Sequence, residues 1–395
     1  MKLTGDQMLV KRINKALVLE TVMQHAPLSR AAISAKIGLN KASVSSLVNE
    51  WLTEQLVLEM GLGESSGGRK PMMLLFNERA GYALGVDLGV NYISAILTDL
   101  AGEIVYRKRI DLHTHQPTEV IHLLIQLIQE VIAEAPPSPY GIIGVGIGVP
   151  GIVDEQGSIL SAPNLGWNSV SLQQLLAEAI SVPMLIDNEA NVGAIGEQQF
   201  GCGRTASHLI YISAGIGIGT GLIVNHQIYR GTSGFSGELG HMTIQADGGL
   251  LCSCGNRGCW EMYASEQALL KRATNEINKL FPTTPDIQAL VRSAEANQSD
   301  VIRLFADIGR YLGIGIANTI NVFNPEMIII GNRLSIAKRW LQDSLYESVM
   351  QHSLSTHHQR VRLEFASLGL DSAALGAASM AISKFFEGVK SEERA

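Results

Sequence analysis

Three of the four cysteines fall close together, at Cys252, Cys254 and Cys259, and His241 stands eleven residues ahead of the first. Thiolate and imidazole are the soft donors that suit tetrahedral structural zinc, so this Cys3His set is expected to hold one Zn2+ ion. Gly255 and Gly258 give the intervening loop the freedom to fold three sulfurs around one centre. A disulfide or plain buried thiols are the alternatives. A Cys-x-Cys pair does not bridge itself easily, and a cytosol keeps thiols reduced. Two carboxylates keep fixed offsets from the cluster, Glu238 before the histidine and Glu261 after the last cysteine.

The 395 residues have room for two or three domains, and 46% hydrophobic with 17% charged residues is ordinary for a globular chain. The opening MKLTGDQMLVKR has no apolar core of a signal peptide, and the uncharged run 138–153 is too short and too broken to span a bilayer. A cytoplasmic protein without membrane contact is expected. The net charge is −7, yet residues 1–76 carry nine Lys/Arg against six Asp/Glu. A mildly basic head on an acidic body suggests a nucleic-acid module joined to something else.

The head reads as residues 1–77. One helix runs from a cap at Asp6 to His25, a second starts after the N-cap Ser29, and a third, capped by Asn40, covers Lys41 to about Thr53. This is helix–turn–helix spacing. Val44, Leu47, Val48 and Trp51 share the core face of the third helix. Ala42, Ser45, Ser46 and Asn49 face the other way and are small enough to approach base edges, with Lys41 and Ser43 at the flank for phosphate. Ser29 and Arg30 at the start of the second helix join the expected DNA contacts. Two strands, 56–61 and 72–77, enclose a glycine-rich wing that carries Arg69 and Lys70, a basic tip suited to a narrow minor groove.

From Tyr82 the pattern becomes α/β. Strands at 82–86, 92–97 and 103–109 repeat as 208–213, 219–224 and 227–229, each set followed by helices. Further strands are expected at 142–149, 184–187 and 327–330, and helices near 118–135 and 172–179. Residues 262–325 read as largely helical with a polar loop at 283–286, and a last helix covers 373–386 with a frayed tail from Gly388. The duplication resembles the actin/hexokinase-type (ribonuclease H-like) fold. It implies a two-lobed body over 78–395 with the cleft between lobes, a zinc loop at 236–261, and a winged helix–turn–helix in front.

The phrases GELGHMT and CSCGNRGCWE together resemble the signature of the ROK family, which holds repressors, open reading frames and sugar kinases; the resemblance spans nearly the whole chain. It implies that His241 and the three cysteines bind zinc, that Glu238 and Glu261 contact sugar hydroxyls, and that His241 bridges metal and sugar. Carboxylates flanking a metal-fixed loop accept bonds from vicinal hydroxyls at little ordering cost, which agrees. The resemblance further places Asn164, Gly151 and Ser161 at the sugar, with Asn188 and Glu189 beside them.

Kinases of the family carry Asn-Asp where this chain has Asn188-Glu189, and that aspartate is the catalytic base. Their phosphate loops read Asp-x-Gly-Gly-Thr and Gly-Thr-Gly; here Val90 replaces the second glycine and Ile216 the threonine. A glutamate base is displaced by a methylene, and an error near 1 Å costs roughly a hundredfold in rate. The expectation is sugar binding kept and phosphoryl transfer lost, with no catalytic residue. The SSGGRKPMML and SGFSGELGHMTI phrases resemble ROK repressors of xylose operons more closely. They imply a dimer, or dimer of dimers, on a palindromic operator, released by an aldose, xylose first and glucose second. An active sugar kinase with an accessory DNA-binding head is the alternative, and control by a protein partner a third reading.

Overall fold

The structure is a computed structural model that describes residues 7–62, 70–277, 280–281 and 285–391. The head is built from α1 (Gln7–His25), β1 (Leu28–Ser29), α2 (Arg30–Ile37), α3 (Lys41–Thr53), β2 (Val57–Leu62) and β3 (Met72–Phe76). Ser29 caps α2 by accepting from the Ala32 amide at 3.1 Å, and Asn40 caps α3 by accepting from Ser43 at 2.8 Å. Gly38 between them has φ 74°, a left-handed turn that a side chain would resist. Val44, Leu47, Val48 and Trp51 of α3 are buried, and the Trp51 indole donates to the Lys15 carbonyl of α1. The strands pair in the order β1-β3-β2. The expected Asp6 cap and the wing residue Arg69 lie outside the described residues.

The body contains two five-stranded sheets with the same plan. The first comprises β4 (Tyr82–Leu88), β5 (Tyr92–Asp99), β6 (Ile104–Asp111), β7 (Ile142–Val149) and β11 (Met184–Asn188); α4 (Pro117–Ala133) and α5 (Leu172–Ala177) pack beside it. A three-stranded sheet of β8 (Ile152–Val153), β9 (Ile159–Ala162) and β10 (Trp167–Val170) projects from its end. After α6 (Glu189–Gln199), the second sheet comprises β12 (Leu209–Ala214), β13 (Ile218–Val224), β14 (Gln227–Ile228), β15 (Met327–Gly331) and β16 (Arg362–Phe365). Its helices are α7 (Glu261–Ala264), α8 (Glu266–Ile277), α9 (Ile287–Glu295), α10 (Ser299–Phe323), α11 (Lys338–His352) and α12 (Ser355–His358).

In each sheet a central strand (β4, β12) has an antiparallel hairpin on one side and two parallel strands on the other. The repeat read from the sequence is thus a structural duplication, with strand ends shifted by a residue or two. Between the sheets run α6 and the last helix, α13 (Ser372–Ser391), packed on each other. Glycines make this possible: a Cβ on Gly85 or Gly146 would lie 1.9 Å from a carbonyl of α13. The frayed tail expected from Gly388 is corrected. The helix continues to Ser391 because Val389 is buried and Lys390 pairs with Glu20 of the head. Among the described residues no helix is long and apolar enough to cross a membrane.

Candidate functional site

One cleft between the lobes collects all eight residues expected at the sugar: Gly151, Ser161, Asn164, Asn188, Glu189, Glu238, His241 and Glu261. They come from both repeats. Asn188 ends β11, and its side chain caps α6 through the Ala190 and Asn191 amides while donating to the Gly151 carbonyl at 2.9 Å. That amide therefore shapes the cleft as well as lining it. Glu238 follows Gly237, whose φ of 93° and closeness to Thr220 suit glycine alone. The Thr220 hydroxyl donates to the Gly237 carbonyl and holds that turn.

The Cys3His loop is tied to itself by bridges between Thr243 and Cys259 and between Leu251 and Arg257. Gly255 and Gly258 have φ of 88° and 79°, and a Cβ on Gly258 would meet the Gln245 carbonyl at 1.9 Å. The four donor atoms of His241, Cys252, Cys254 and Cys259 all lie within 4.8 Å of one another. Cys254 Sγ and Cys259 Sγ are 3.7 Å apart, and Cys252 Sγ and His241 Nδ1 are 3.5 Å apart. Zinc with ordinary bond lengths and tetrahedral angles requires S–S edges of about 3.8 Å and S–N edges of about 3.6 Å. The donor set fits such an ion. His241 turns Nδ1 toward the sulfurs, and its Nε2 lies 3.7 Å from Glu238 Oε2 in the cleft. Glu261 Oε1 lies 3.0 Å from Cys252 Sγ and 3.6 Å from His241 Nδ1, so this residue stands at the edge of the cluster. Its Oε2 and Asn164 Nδ2 crowd the place where a Cβ on Gly217 would stand, at 2.8 and 3.2 Å. A side chain at Gly217 would push Glu261 and Asn164 from these positions, a reason for glycine there apart from any nucleotide.

At the other end of the cleft the chain's own polar side chains bond to one another. The Tyr92 ring lies on Gly89, its hydroxyl donates to Asp87 at 2.7 Å, and Arg109 covers its face at 3.9 Å. Glu189 Oε1 accepts from Ser213 at 3.0 Å and Asn332 at 2.5 Å. Arg333 forms a 2.8 Å ion pair with the buried Glu266 and reaches across the cleft to Asn91 Oδ1 at 3.3 Å. Val90 and Ile216 line the same end. Burial pushes the Glu189 carboxyl up to about 8, with the Asp87 charge adding to it and the Ser213 hydroxyl opposing. Burial likewise pushes Asp87 up to about 6, against the Tyr92 hydrogen bond.

Sequence reasoning missed Tyr92, Ser213, Asn332 and Arg333. The available signal was Gly331-Asn332-Arg333 directly after a buried parallel strand, the end of a strand where open α/β sheets meet ligands. On the head, Lys41, Ala42, Ser46 and Asn49 of α3 are exposed, Ser43 and Ser45 are half-buried, and Lys70 is exposed. Arg30 donates to Asn49 and pairs with Glu59, each at 3.1 Å, so two expected DNA contacts hold each other and Ser29 is spent on its cap.

The chain is 43% identical over 386 residues to a protein named "Xylose repressor" from Bacillus spizizenii, covering 98% of this chain and 99% of that one. A solved ROK family transcriptional regulator, described as a homologue of the E. coli MLC protein, superposes with TM-score 0.80 and 28% identity over 97% of this chain and 98% of its own. A ROK family glucokinase from Streptomyces griseus, solved with glucose and AMPPNP, superposes with TM-score 0.71 and 26% identity over 77% of this chain and 100% of its own. The ROK family profile matches residues 83–384, and the chain belongs to the ROK family.

Proposed function

We propose that the chain is a sugar-responsive transcriptional repressor in the cytoplasm, that the head over 1–77 is a winged helix–turn–helix binding a palindromic operator as a dimer or dimer of dimers, and that xylose releases it. The observation that carries this reading is the contrast within one cleft, on a chain that also has an exposed helix for DNA. Glu238, His241, Glu261 and Asn164 offer hydrogen-bonding groups to a polyol, while the glycine-loop end is occupied by Tyr92, Arg333 and the Glu189 contacts. The full-length similarity to a protein named xylose repressor supports the choice of sugar.

Zn2+ is the ion that His241, Cys252, Cys254 and Cys259 would hold. Bound there, it supplies a fixed frame and no chemistry of transfer. The residues do the rest. Glu261 keeps Oε2 toward the cleft, His241 presents Nε2, and Asn164 and Glu238 complete a set of hydroxyl partners fed by Gly151 and Ser161 on the facing loop. Ala42, Ser45, Ser46 and Asn49 would read bases, with Lys41 and Ser43 near phosphate and Arg69 and Lys70 in the minor groove. Arg30 and Asn49 must first release each other, and Ser29 would serve through the helix it caps. Tenfold release by sugar requires at least ~1.4 kcal/mol of differential sugar affinity between bound and free states.

The test is binding of the purified protein to its own promoter DNA, titrated with xylose, glucose and N-acetylglucosamine at fixed salt. Release by xylose at lower concentration than the others is expected. Binding indifferent to every sugar removes the inducer part of the reading. The retained carboxylate of Glu189 supports a second reading, an active sugar kinase with an accessory head. It requires that Glu189 leave its Ser213 and Asn332 donors and lose its proton.

A further inference from the structure

The helix that sequence reading ended at Phe386 joins the cleft to the head. At its far end, Ala378, Ala381, Ile382, Phe386 and Val389 of α13 belong to the same buried cluster as Val18, Leu19, Val22, Trp51 and Leu74 of the head. The Phe386 ring lies 6.0 Å from Phe76 of β3, and Lys390 pairs with Glu20 of α1. Beside it Tyr140 of the body donates to the Glu54 carbonyl of the head and packs edge-on against Phe385. The head is thus set into the body by a shared core, with its contacts concentrated on one helix.

At its near end α13 is fixed to α6, whose first residues are the cleft's own. Glu197 of α6 is fully buried and its carboxylate accepts from the Ser372 hydroxyl at 2.8 Å, from Ser367 Oγ at 3.0 Å and from the Leu368 amide at 3.0 Å. The two helices cross in backbone contact. A Cβ on Gly376 would stand 1.7 Å from the Val192 carbonyl, and one on Gly196 would stand 2.1 Å from that of Ser372. No layer of side chains separates them, so a change of tilt in one is passed to the other instead of being absorbed by rotamers. The α6 N-terminus is the Asn188 cap that also holds Gly151 on the facing loop. This cap lines the cleft and α6 packs on β12 and β13 of the second sheet, so a change in the angle between the lobes would have to carry α6 with it or break that packing.

We propose that α6 and α13 move as one unit and carry the state of the cleft to the DNA-binding head, with Glu197 and Gly376 as positioning residues and Phe386 as the contact through which the head responds. This rests on the reading of the head as a DNA reader. It does not rest on the identity of the sugar, because coupling is reciprocal: DNA on the head must alter the cleft by the same factor.

The experiment uses the full chain and Phe386→Ala, with Phe386→Leu as the conservative variant. Amide hydrogen exchange is followed in residues 186–199 while the protein's own promoter fragment is added, and operator affinity is measured with and without xylose. In the parent protein DNA should change exchange in α6 by threefold or more. In Phe386→Ala that response should vanish, and xylose should release DNA less than twofold although it still binds; Phe386→Leu should restore both. Should Phe386→Ala fold poorly, the Lys390→Glu protein and its compensating Glu20→Lys partner give the same reading at the surface ion pair, weakened response in the single variant and recovery in the double. A parent protein that no sugar releases, but whose α6 still responds to DNA, overturns the inducer reading and supports the coupling. Unchanged coupling in Phe386→Ala, or no response of α6 to DNA in the parent protein, overturns the proposal.

Discussion

The two ends of the cleft were built from the same duplicated frame and have opposite fates. At the zinc-loop end, Glu238, His241, Glu261 and Asn164 line the cleft, and the Cys3His cluster lies on the loop that bears three of them. At the glycine-loop end, Tyr92 lies on Gly89, Glu189 is tied by Ser213 and Asn332, and Arg333 is paired with Glu266. A site binds when its polar groups await a partner, and stops binding when its own side chains satisfy them. The proposed reading, a sugar bound without phosphoryl transfer, rests on this difference in how the polar groups of the two ends are partnered.

The largest effect should come from the loop frame. Cys254→Ser should abolish stoichiometric metal content and weaken sugar binding by roughly 100-fold, although the thiol does not line the cleft. Metal analysis with calorimetric titration checks both; a variant that keeps metal and sugar would show the loop to be rigid without the cluster. Glu261→Gln tests the same end with the frame intact. Loss of one charge-assisted bond costs about 2 kcal/mol, about 30-fold in affinity, with metal content unchanged. Glu189→Gln tests the other carboxylate expected at the sugar. A change of less than about threefold would show that its Ser213 and Asn332 bonds keep it from the sugar, and a loss equal to that of Glu261→Gln would erase the distinction between the ends.

The smallest effect concerns pH. The folded chain holds protons on Glu189 to about 8 and on Asp87 to about 6, above their ordinary values of 4.5 and 3.8. In the intervening range the folded state binds more protons than the unfolded one, so stability from these groups is present in acid and is lost as pH rises through 6 and then 8. The Tm of the parent protein should therefore fall relative to that of Glu189→Gln between about pH 6 and pH 8. Parallel Tm profiles of the two proteins would show Glu189 to be ionised throughout, and with it a base in waiting.

The zinc-loop end was readable in the sequence because its residues are scarce types at short spacing: three cysteines and a histidine within nineteen positions announce a cluster on their own. The glycine-loop end was not. Glu189 and Asn332 are 143 residues apart, and Asn91 and Arg333 are 242 apart, so only the closing of the two repeats brings them together. Their types are ordinary as well. Val90 and Ile216 could be read as departures from glycine and threonine, but not the tyrosine and arginine that line the cleft beside them. The end of α13 was misjudged for a similar reason. Gly388 and a charged tail look like fraying, and only the head packed against Phe386 and Val389 makes that turn part of a core. The duplicated strands, by contrast, were legible because each alternates or runs apolar between glycine turns, a local property.

The most direct test of the contrast between the ends uses one metal-loaded preparation for two readings: calorimetric binding of xylose, and a coupled assay of ATP turnover with xylose and glucose at saturation. Binding of one xylose per chain with no turnover above background is the result this account predicts. Turnover of about 1–100 per second, the range of working kinases, would contradict it and restore the glycine-loop end to catalysis.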